Sequence, residues 1–378
     1  MTPQEIQTLF SEAIRAEQKG DFSLAESVYR KLLVVAPGSP EPYSNLAAIL
    51  LRENKYPEAV KLCHRAISLK PDFRTAYYNL GTAHLRGEEW PSAVEAYRKA
   101  VELQPDDVRS RSNLTRALAW LGEKEAAFTE GQKTLEWKDQ LSCEAFRRRG
   151  QTDVYQPRRE ARPFDPTRRS ANVISYSLWG DQTIYLDGAL ENVRVAADLF
   201  PEWTVRMYID AETVPGTVQS ELRRRGADLI SMKRDHDWEG LFWRFLASDD
   251  SKVDYFLSRD CDSILSERER IAIDEWLDSG EPFHLMRDFV LHTDLILAGL
   301  WGGAANWLPR FADAVGPFVS DKFHRWVDQE FLGIHVWPLI RDHSLTHDRH
   351  YCVGRSRPFP NEAPLPDGFH VGSRMDSE

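Results

Sequence analysis

Small and apolar residues recur every 34 residues along the first third of this 378-residue chain. Prolines at the same spacing, Pro37, Pro71 and Pro105, mark the point where each unit of the pattern closes. A fixed period of this length across several columns predicts a chain built of repeated structural units. The columns of the pattern are Ala25, Ala59, Ala93 and Ala127; Leu46, Leu80 and Leu114; Tyr29, Cys63 and Tyr97; and Phe22, Tyr56 and Trp90.

These residue types at this spacing resemble the tetratricopeptide repeat (TPR) family. A single helix pair cannot bury its own apolar face, so the resemblance implies that the pairs stack into a curved solenoid. Residues 1–137 are predicted to form four repeats. The fourth departs from the pattern, as an end repeat does.

One polar column runs through the same region. Asn45, Asn79 and Asn113 lie 34 residues apart on the first helix of repeats two to four. A side-chain amide both donates to and accepts from a peptide backbone, and a comparable asparagine ladder holds the acceptor polypeptide in TPR-bearing O-GlcNAc transferases. The column is therefore a candidate acceptor or peptide site. The alternative is that asparagine is simply frequent at this position and is solvated in the groove.

Residues 138–170 lose the repeat and are rich in arginine and proline. We expect a capping helix through Phe146 followed by an extended linker, since X-Pro steps disfavour helix. Its basic run either helps to hold an anionic ligand or is a solvated surface strip.

From Ala171 onwards the pattern changes to short apolar runs that alternate with helical stretches. The runs ANVISYSL, TVRMYID, ADLISM and VDYFLS are predicted strands. Such alternation predicts an α/β domain over residues 171–378, Rossmann-like, with a mostly parallel sheet. Ligands of these sheets bind beyond the carboxyl ends of the strands, so the chemistry is expected in the loops that follow them.

Composition narrows the possible classes of function. The net charge of −11 argues against a nucleic-acid binder, which needs a basic surface. Four scattered cysteines without a CxxC spacing, a charged N-terminal segment and the absence of a long apolar run favour a cytoplasmic protein without a transmembrane segment.

The fourth predicted strand ends in a DxD motif formed by Asp260 and Asp262. Two carboxylates one residue apart at a strand end can point at one hard cation, either Mn²⁺ or Mg²⁺, that bridges the diphosphate of a sugar nucleotide. The motif alone is common by chance on acidic surfaces. Its place after an apolar strand makes it more specific.

The second region resembles the GT-A glycosyltransferase fold, in particular a bacterial glycosyltransferase family and the glycogenin-like enzymes. The resemblance covers nearly all of residues 171–372. The ordered stretches that carry it are YSLWGD, WRFL, SRDCDSILSERERIAIDEWL, HLMRDFVLH, AGLWGG and DQEFL.

The resemblance implies a role for each matching residue. Arg244 would meet the donor phosphate or sugar, Asp328 and Gln329 would stand near the anomeric carbon or the acceptor, and His370 would be a third metal ligand, with His347 as its rival. The late His-Val-Gly motif lacks the Lys-Pro-Trp tail of the glycogenin-like enzymes. The remaining donor-binding residues implied are Tyr176, Ser177, Arg287, Asp288, Gly299, Gly302 and Gly303, in addition to Arg244 and Asp260.

Three functions are compatible with these residues. The first is a metal-dependent transferase that takes a nucleotide-diphosphate sugar, with a UDP-sugar favoured, and recruits an acceptor protein or glycan through the TPR groove. The second is a TPR scaffold with an inactive, sugar-nucleotide-binding domain. The third is nucleotidyl transfer or metal-dependent hydrolysis, since paired aspartates also serve phosphoryl chemistry.

Overall fold

The structure, a computed structural model, describes the chain except residues 151–155, 237, 320–325, 361–362, 366–368 and 374–378. It divides into two compact units, Met1–Thr134 and Leu135–Glu378. Residues 151–155 of the predicted linker lie outside the described residues. No helix among the described residues is both long enough and apolar enough to cross a membrane.

The first unit is built of antiparallel helix pairs. Proline occupies the first turn of several of these helices, where its missing N–H costs nothing. The helices are α1 Pro3–Gln18, α2 Phe22–Val35, α3 Pro40–Arg52, α4 Tyr56–Leu69, α5 Arg74–Arg86, α6 Trp90–Leu103, α7 Val108–Leu121 and α8 Lys124–Arg148, which continues beyond Thr134.

The recurring columns of the sequence are the contact positions between these helices. The four alanines of the 34-residue pattern are fully buried, and so are the three residues of the tyrosine and cysteine column. Small residues there let the helices approach closely, while the larger side chains fill the space between them. The predicted helical repeat is confirmed.

The second unit contains one mixed sheet with strand order β3-β2-β1-β4-β6-β5-β7-β8. Strand β6 runs antiparallel to both of its neighbours, and the other paired strands are parallel. The strands are β1 Asn172–Leu178, β2 Thr204–Asp210, β3 Asp228–Met232, β4 Tyr255–Ser258, β5 Phe283–Arg287, β6 Trp301–Ala304, β7 Ser344–Asp348 and β8 Ser356–Arg357.

Helices connect these strands and bury an aromatic-rich core against the sheet. The helical stretch before β4 begins as α-helix and continues as a 3₁₀ helix. The helices are α9 Thr183–Leu199, α10 Gly216–Arg224, α11 Glu239–Phe242, the 3₁₀ helix Trp243–Asp249, α12 Glu267–Ser279, α13 Phe311–Val319, α14 Val327–Phe331, the π-helix Leu332–Val336 and α15 Trp337–Ile340.

The four predicted strands coincide with β1 to β4, so the carboxyl ends of β1 and β4 lie side by side. Strand β1 is buried along its whole length, as expected for a strand with partners on both edges. The loop after β4, which carries the DxD motif, therefore emerges beside the end of β1.

The packing of the repeats gives a stability prediction. A Cβ atom added at Gly81 on α5 would lie 2.8 Å from the ring of Tyr97, which is itself buried. Gly81→Val should therefore lower the free energy of unfolding by about 1–3 kcal/mol through overpacking. Thermal unfolding followed by circular dichroism measures the loss. Gly38→Val, where the added side chain meets open space, is the control, and equal unfolding temperatures for the two variants would contradict the packing.

Candidate functional site

The guanidinium group of Arg244 lies between two carboxylates at the carboxyl edge of the sheet. Its Nη1 donates to Asp260 Oδ1 at 2.5 Å and its Nη2 donates to Asp328 Oδ2 at 2.8 Å. The side chains of Arg244 and Asp328 are 7% and 5% exposed, whereas that of Asp260 is 41% exposed. The structure thus brings three of the predicted site residues together, with one carboxylate open to solvent.

Burial controls the protonation of the inner carboxylate. It raises the pKa of Asp328 to about 6, although the positive charge of Arg244 opposes the rise. The repulsion from Asp260 adds to it. Asp328 also accepts a hydrogen bond at Oδ1 from the backbone N–H of Gln329, at 2.9 Å. Both oxygens of Asp328 are therefore engaged inside the protein.

Asp260 lies in a loop that α9 and the residues before β6 hold in place. The amide nitrogen of Asn192 on α9 donates to the carbonyl of Ser263 at 2.9 Å, and Asn192 Oδ1 accepts from the backbone N–H of Leu265 at 3.0 Å. On the other side, a Cβ atom at Gly299 would collide with the carboxylate of Asp260. Glycine at 299 is therefore what leaves room for this carboxylate.

Asp262, the second carboxylate of the motif, is intermediately exposed two residues further along the same loop. Asp260 and Asp262 supply the hard oxygen ligands that Mn²⁺ and Mg²⁺ prefer, and such ions commonly take only one or two carboxylates and complete their shell with substrate phosphates and water. Among the described residues, no group of three or more His, Cys, Asp or Glu side chains is placed to hold a metal ion. The residue types at 260 and 262 are those that such a cation prefers, and Asp260 is bonded to Arg244 in this structure.

The two histidines considered as third ligands occupy other environments. The ring of His370 stacks on Phe289 at a centroid distance of 4.4 Å, and its Nδ1 is 2.8 Å from the carbonyl oxygen of Val371. His347 is buried within 2.7 Å of His284 and within 3.0 Å of Glu275. The structure does not gather either histidine with both aspartates into a ligand group.

Arg287 and Asp288, at the end of β5, are engaged in separate buried ion pairs. Arg287 pairs with Asp348 at 2.6 Å. Asp288 pairs with Arg268 at 3.1 Å and accepts from the backbone N–H of Val371 at 2.9 Å. Asp288 thus fastens the segment that contains His370.

The C-terminal segment is also tied to the loop after β4. Ser263 donates from its hydroxyl to the carbonyl of Gly372 at 3.0 Å. This contact, together with the bond from Val371 to Asp288, places the predicted residues Asp288 and His370 on the flank of the loop. They lie outside the pairing around Arg244.

The remaining predicted donor-binding residues are buried in the sheet. Tyr176 is fully buried, and burial raises the pKa of its hydroxyl well above the usual value. Gly302 and Gly303 lie within β6, where a side chain at 302 would meet the backbone of Phe256 and one at 303 would meet the ring of Phe283. Both glycines permit close packing of strands.

The asparagine column of the first unit donates its hydrogen bonds within the repeats. Asn45 donates to the hydroxyl of Tyr29 at 3.0 Å. Asn79, which is buried, donates to the carbonyl of Ser44 at 3.0 Å. Asn113 donates to the hydroxyl of a tyrosine on α5 at 3.4 Å. These amide nitrogens therefore link neighbouring helices in this structure.

The sequence did not single out several residues that shape the site. Ser175 donates from its hydroxyl to the carbonyl of Arg244 at 2.6 Å. Asn192 fixes the loop after β4, and a side chain at Gly188 on α9 would collide with the carbonyl of Cys261 in the same loop. Ser177, two residues further along the same strand, was implied only by the family resemblance, and nothing in the sequence marked Ser175. No pattern in the sequence marks Asn192 or Gly188, because their importance depends on contacts with the loop after β4 that only the folded structure shows.

Comparison with known families identifies the first unit. A family model described as the tetratricopeptide repeat matches residues 10–72, 45–108 and 78–136. Residues 10–136 are TPR repeats. This confirms the prediction for the first third of the chain, and repeats of this type suggest a protein or peptide partner. No curated protein matches the sequence.

Several solved structures resemble parts of the chain. MamA from Desulfovibrio magneticus RS-1 is 25% identical over 35% of this chain and 75% of that chain, with a TM-score of 0.34. The first TPR domain of human RPAP3 is 23% identical over 33% of this chain and 98% of that chain, with a TM-score of 0.31. A mutant of the Thermobaculum terrenum O-GlcNAc transferase is 23% identical over 68% of this chain, with a TM-score of 0.40, and the match spans 47% of the transferase chain.

The raised pKa of Asp328 gives a pH-dependent prediction. Because the folded-state pKa of about 6 lies above the ordinary value near 4, the folded protein binds more protons than the unfolded chain between these pH values. This carboxyl therefore costs stability progressively as the pH rises through that window. Asp328→Asn cannot titrate there, so the stability of the variant minus that of the wild type should increase with pH, by up to about 3 kcal/mol.

Urea unfolding followed by tryptophan fluorescence measures this difference between about pH 4 and pH 7. The ion pair with Arg244 adds no separate pH dependence, because its effect on the ionisation of Asp328 is already contained in the pKa of about 6. The exchange of a carboxyl for an amide adds only an offset that is the same at each pH. A difference that does not change with pH would contradict the raised pKa.

Proposed function

We propose that the protein is a metal-dependent glycosyltransferase that moves a sugar from a nucleotide-diphosphate sugar to an acceptor. One observation carries the proposal. A buried arginine reaches the carboxyl edge of the sheet next to a half-exposed aspartate that belongs to a DxD motif. A cationic group and a candidate metal ligand then lie side by side, which is what recognition of a diphosphate requires.

In this proposal Asp260 and Asp262 hold Mn²⁺ or Mg²⁺. When bound, the cation would supply positive charge to the oxygens of the leaving diphosphate. Arg244 would supply a second positive charge on the same group once Asp260 binds the cation, since its guanidinium nitrogens now donate to Asp260 and Asp328. Charge that is already in position when the glycosidic bond breaks is usually the largest contribution to catalysis.

Asp328 would hold the guanidinium of Arg244 in place. One oxygen accepts from the guanidinium and the other accepts from the backbone of Gln329, so its hydrogen-bonding capacity is directed inward. A general base must reach the acceptor hydroxyl. The two inward bonds therefore favour a role for Asp328 in fixing Arg244. The neighbouring Gln329, which is partly exposed, would then be the residue that contacts the sugar or the acceptor.

The TPR unit would recruit the acceptor, a protein or a glycan carried on one. Repeats of this type suggest a protein or peptide partner. The asparagine column remains a candidate surface for that peptide. Its amide nitrogens would have to exchange the bonds that they now make between helices for bonds to the peptide.

A scaffold function is the second candidate, and the closed ion pair favours it. Asp260 is already paired with Arg244, and the described residues contain no cluster of three metal-ligating side chains. A domain that only binds sugar nucleotides, or that has lost binding, needs no open metal site. The two candidates differ in ligand binding and in turnover.

Thermal unfolding with UDP and Mn²⁺ is the first test. A ligand that binds only the folded protein stabilises it by about 2.7 kcal/mol at one hundred times its Kd, so Tm should rise by several degrees. Asp262→Asn should remove the rise that depends on Mn²⁺, measured against the Tm of the same variant without ligand. Asp278→Asn, at an exposed carboxylate on α12, is the control with the same charge change and should behave as the wild type.

Transfer of labelled sugar in a cell extract then separates enzyme from scaffold. The wild type and Asp278→Asn should label an acceptor, whereas Asp262→Asn should not. A rise in Tm without any transfer would support the scaffold. No rise with any nucleotide sugar, with or without metal, would refute the proposed function.

A further inference from the structure

Two serines on β1 bind both backbone polar groups of Arg244. The hydroxyl of Ser175 donates to the carbonyl oxygen of Arg244 at 2.6 Å. The backbone N–H of Arg244 donates to the hydroxyl oxygen of Ser177 at 2.9 Å. Ser175 is fully buried and Ser177 is 7% exposed. Successive side chains on a strand alternate between faces, so residues two apart present their hydroxyls to the same neighbour.

This pair of bonds fixes the origin of the arginine side chain. Arg244 is the second residue of the 3₁₀ helix that follows α11, a point where the helical geometry changes. Buried backbone groups need partners, and here a rigid central strand provides them. Arg244 is then held at both ends. Strand β1 binds its backbone, and Asp260 and Asp328 bind its guanidinium nitrogens.

The same strand also touches the DxD loop. The thiol of Cys261, which lies between the two aspartates, is 3.3 Å from the carbonyl oxygen of Ser177 and donates to it. Ser177 therefore contacts Arg244 with its hydroxyl and the loop with its carbonyl. Strand β1 connects the arginine and the carboxylates that would face the diphosphate.

We propose that Ser175 and Ser177 are positioning residues that set the guanidinium of Arg244 for binding of a nucleotide diphosphate. This inference rests on the proposed function. It assigns Ser177 a role through Arg244, in place of the direct contact with base or ribose that the family resemblance implies. The hydroxyl of Ser177 is already bonded inside the protein, which is consistent with the indirect role.

A double-mutant cycle distinguishes the two roles. The affinity for UDP, with and without Mn²⁺, is measured by calorimetry for the wild type, Ser177→Ala, Arg244→Gln and the double variant, at ligand concentrations that saturate the weakest binder. If Ser177 acts through Arg244, Ser177→Ala weakens binding about tenfold in the wild-type background and has almost no effect when Arg244 is glutamine. Ser177→Thr, which keeps the hydroxyl, should restore most of the affinity.

Ser344→Ala provides the matched control, since Ser344 is a buried serine of the same sheet on β7. It should bind UDP as the wild type does, which separates positioning from a general loosening of the sheet. If Ser177→Ala does not fold, the same cycle is run with Ser175→Ala, because Ser175 binds the other backbone group of Arg244.

The outcomes are separable. Loss of affinity from Ser177→Ala that persists in the Arg244→Gln background would show a direct contact with the ligand and overturn this inference, while the proposed function stands. Unchanged affinity in Ser177→Ala would also overturn it. A wild-type protein that binds no UDP under any condition would instead refute the proposed function.

Discussion

A buried arginine needs a fixed negative partner, and the second unit is organised around that need. Moving a guanidinium out of water costs several kcal/mol unless carboxylates compensate it closely. Arg244 has two such partners, one inside and one at the surface. They lie 16 and 84 positions away in the sequence, so the pairing forms only when the 3₁₀ helix, the loop after β4 and α14 come together. Removal of either partner alone leaves an incompletely compensated charge in the core.

The elements around this arginine bring polar groups to one edge of the sheet. Strand β1 holds the backbone of Arg244 through two serines, and α9 holds the loop after β4 through Asn192. Glycine at 299 leaves space for the carboxylate of Asp260. The exposed carboxylates thus lie in a loop that neighbouring strands and helices hold in place, and such support would let a few charged groups act on a ligand without reorganising.

Repetition and apolar runs carried most of the information about the fold. The 34-residue columns predicted the first unit because the same contact positions recur in each repeat. One atypical residue therefore does not hide the pattern. Four apolar runs that alternate with helical stretches predicted β1 to β4. Strands β5 to β8 were not predicted, although β5, β6 and β7 are as long as β3 or β4. No helix lies between β5 and β6 or between β7 and β8, two segments that the structure describes in full, so the alternation that marked the first four strands is lost there. The antiparallel β6 likewise has no local signature.

The candidate site was predictable only in part. A motif such as DxD is local, so Asp260 and Asp262 were found from the sequence. Which of 59 acidic residues meets Arg244 depends on tertiary packing, and the sequence could not assign Asp328 to it from spacing. The residues implied by the family resemblance do not all lie at the candidate site. Arg244, Asp260 and Asp328 lie together, whereas Arg287 is in an ion pair with Asp348 and Tyr176 is inside the sheet.

The proposed function requires that the surface around Arg244, Asp260 and Asp262 binds a nucleotide diphosphate together with a metal ion. A crystal structure of the protein grown with UDP and Mn²⁺, with the anomalous signal of manganese recorded, tests it directly. We expect one manganese peak coordinated by both aspartates and by the diphosphate, with Arg244 in contact with the same phosphates. Manganese or nucleotide bound at another place, with Asp260 still closed on Arg244, would contradict it.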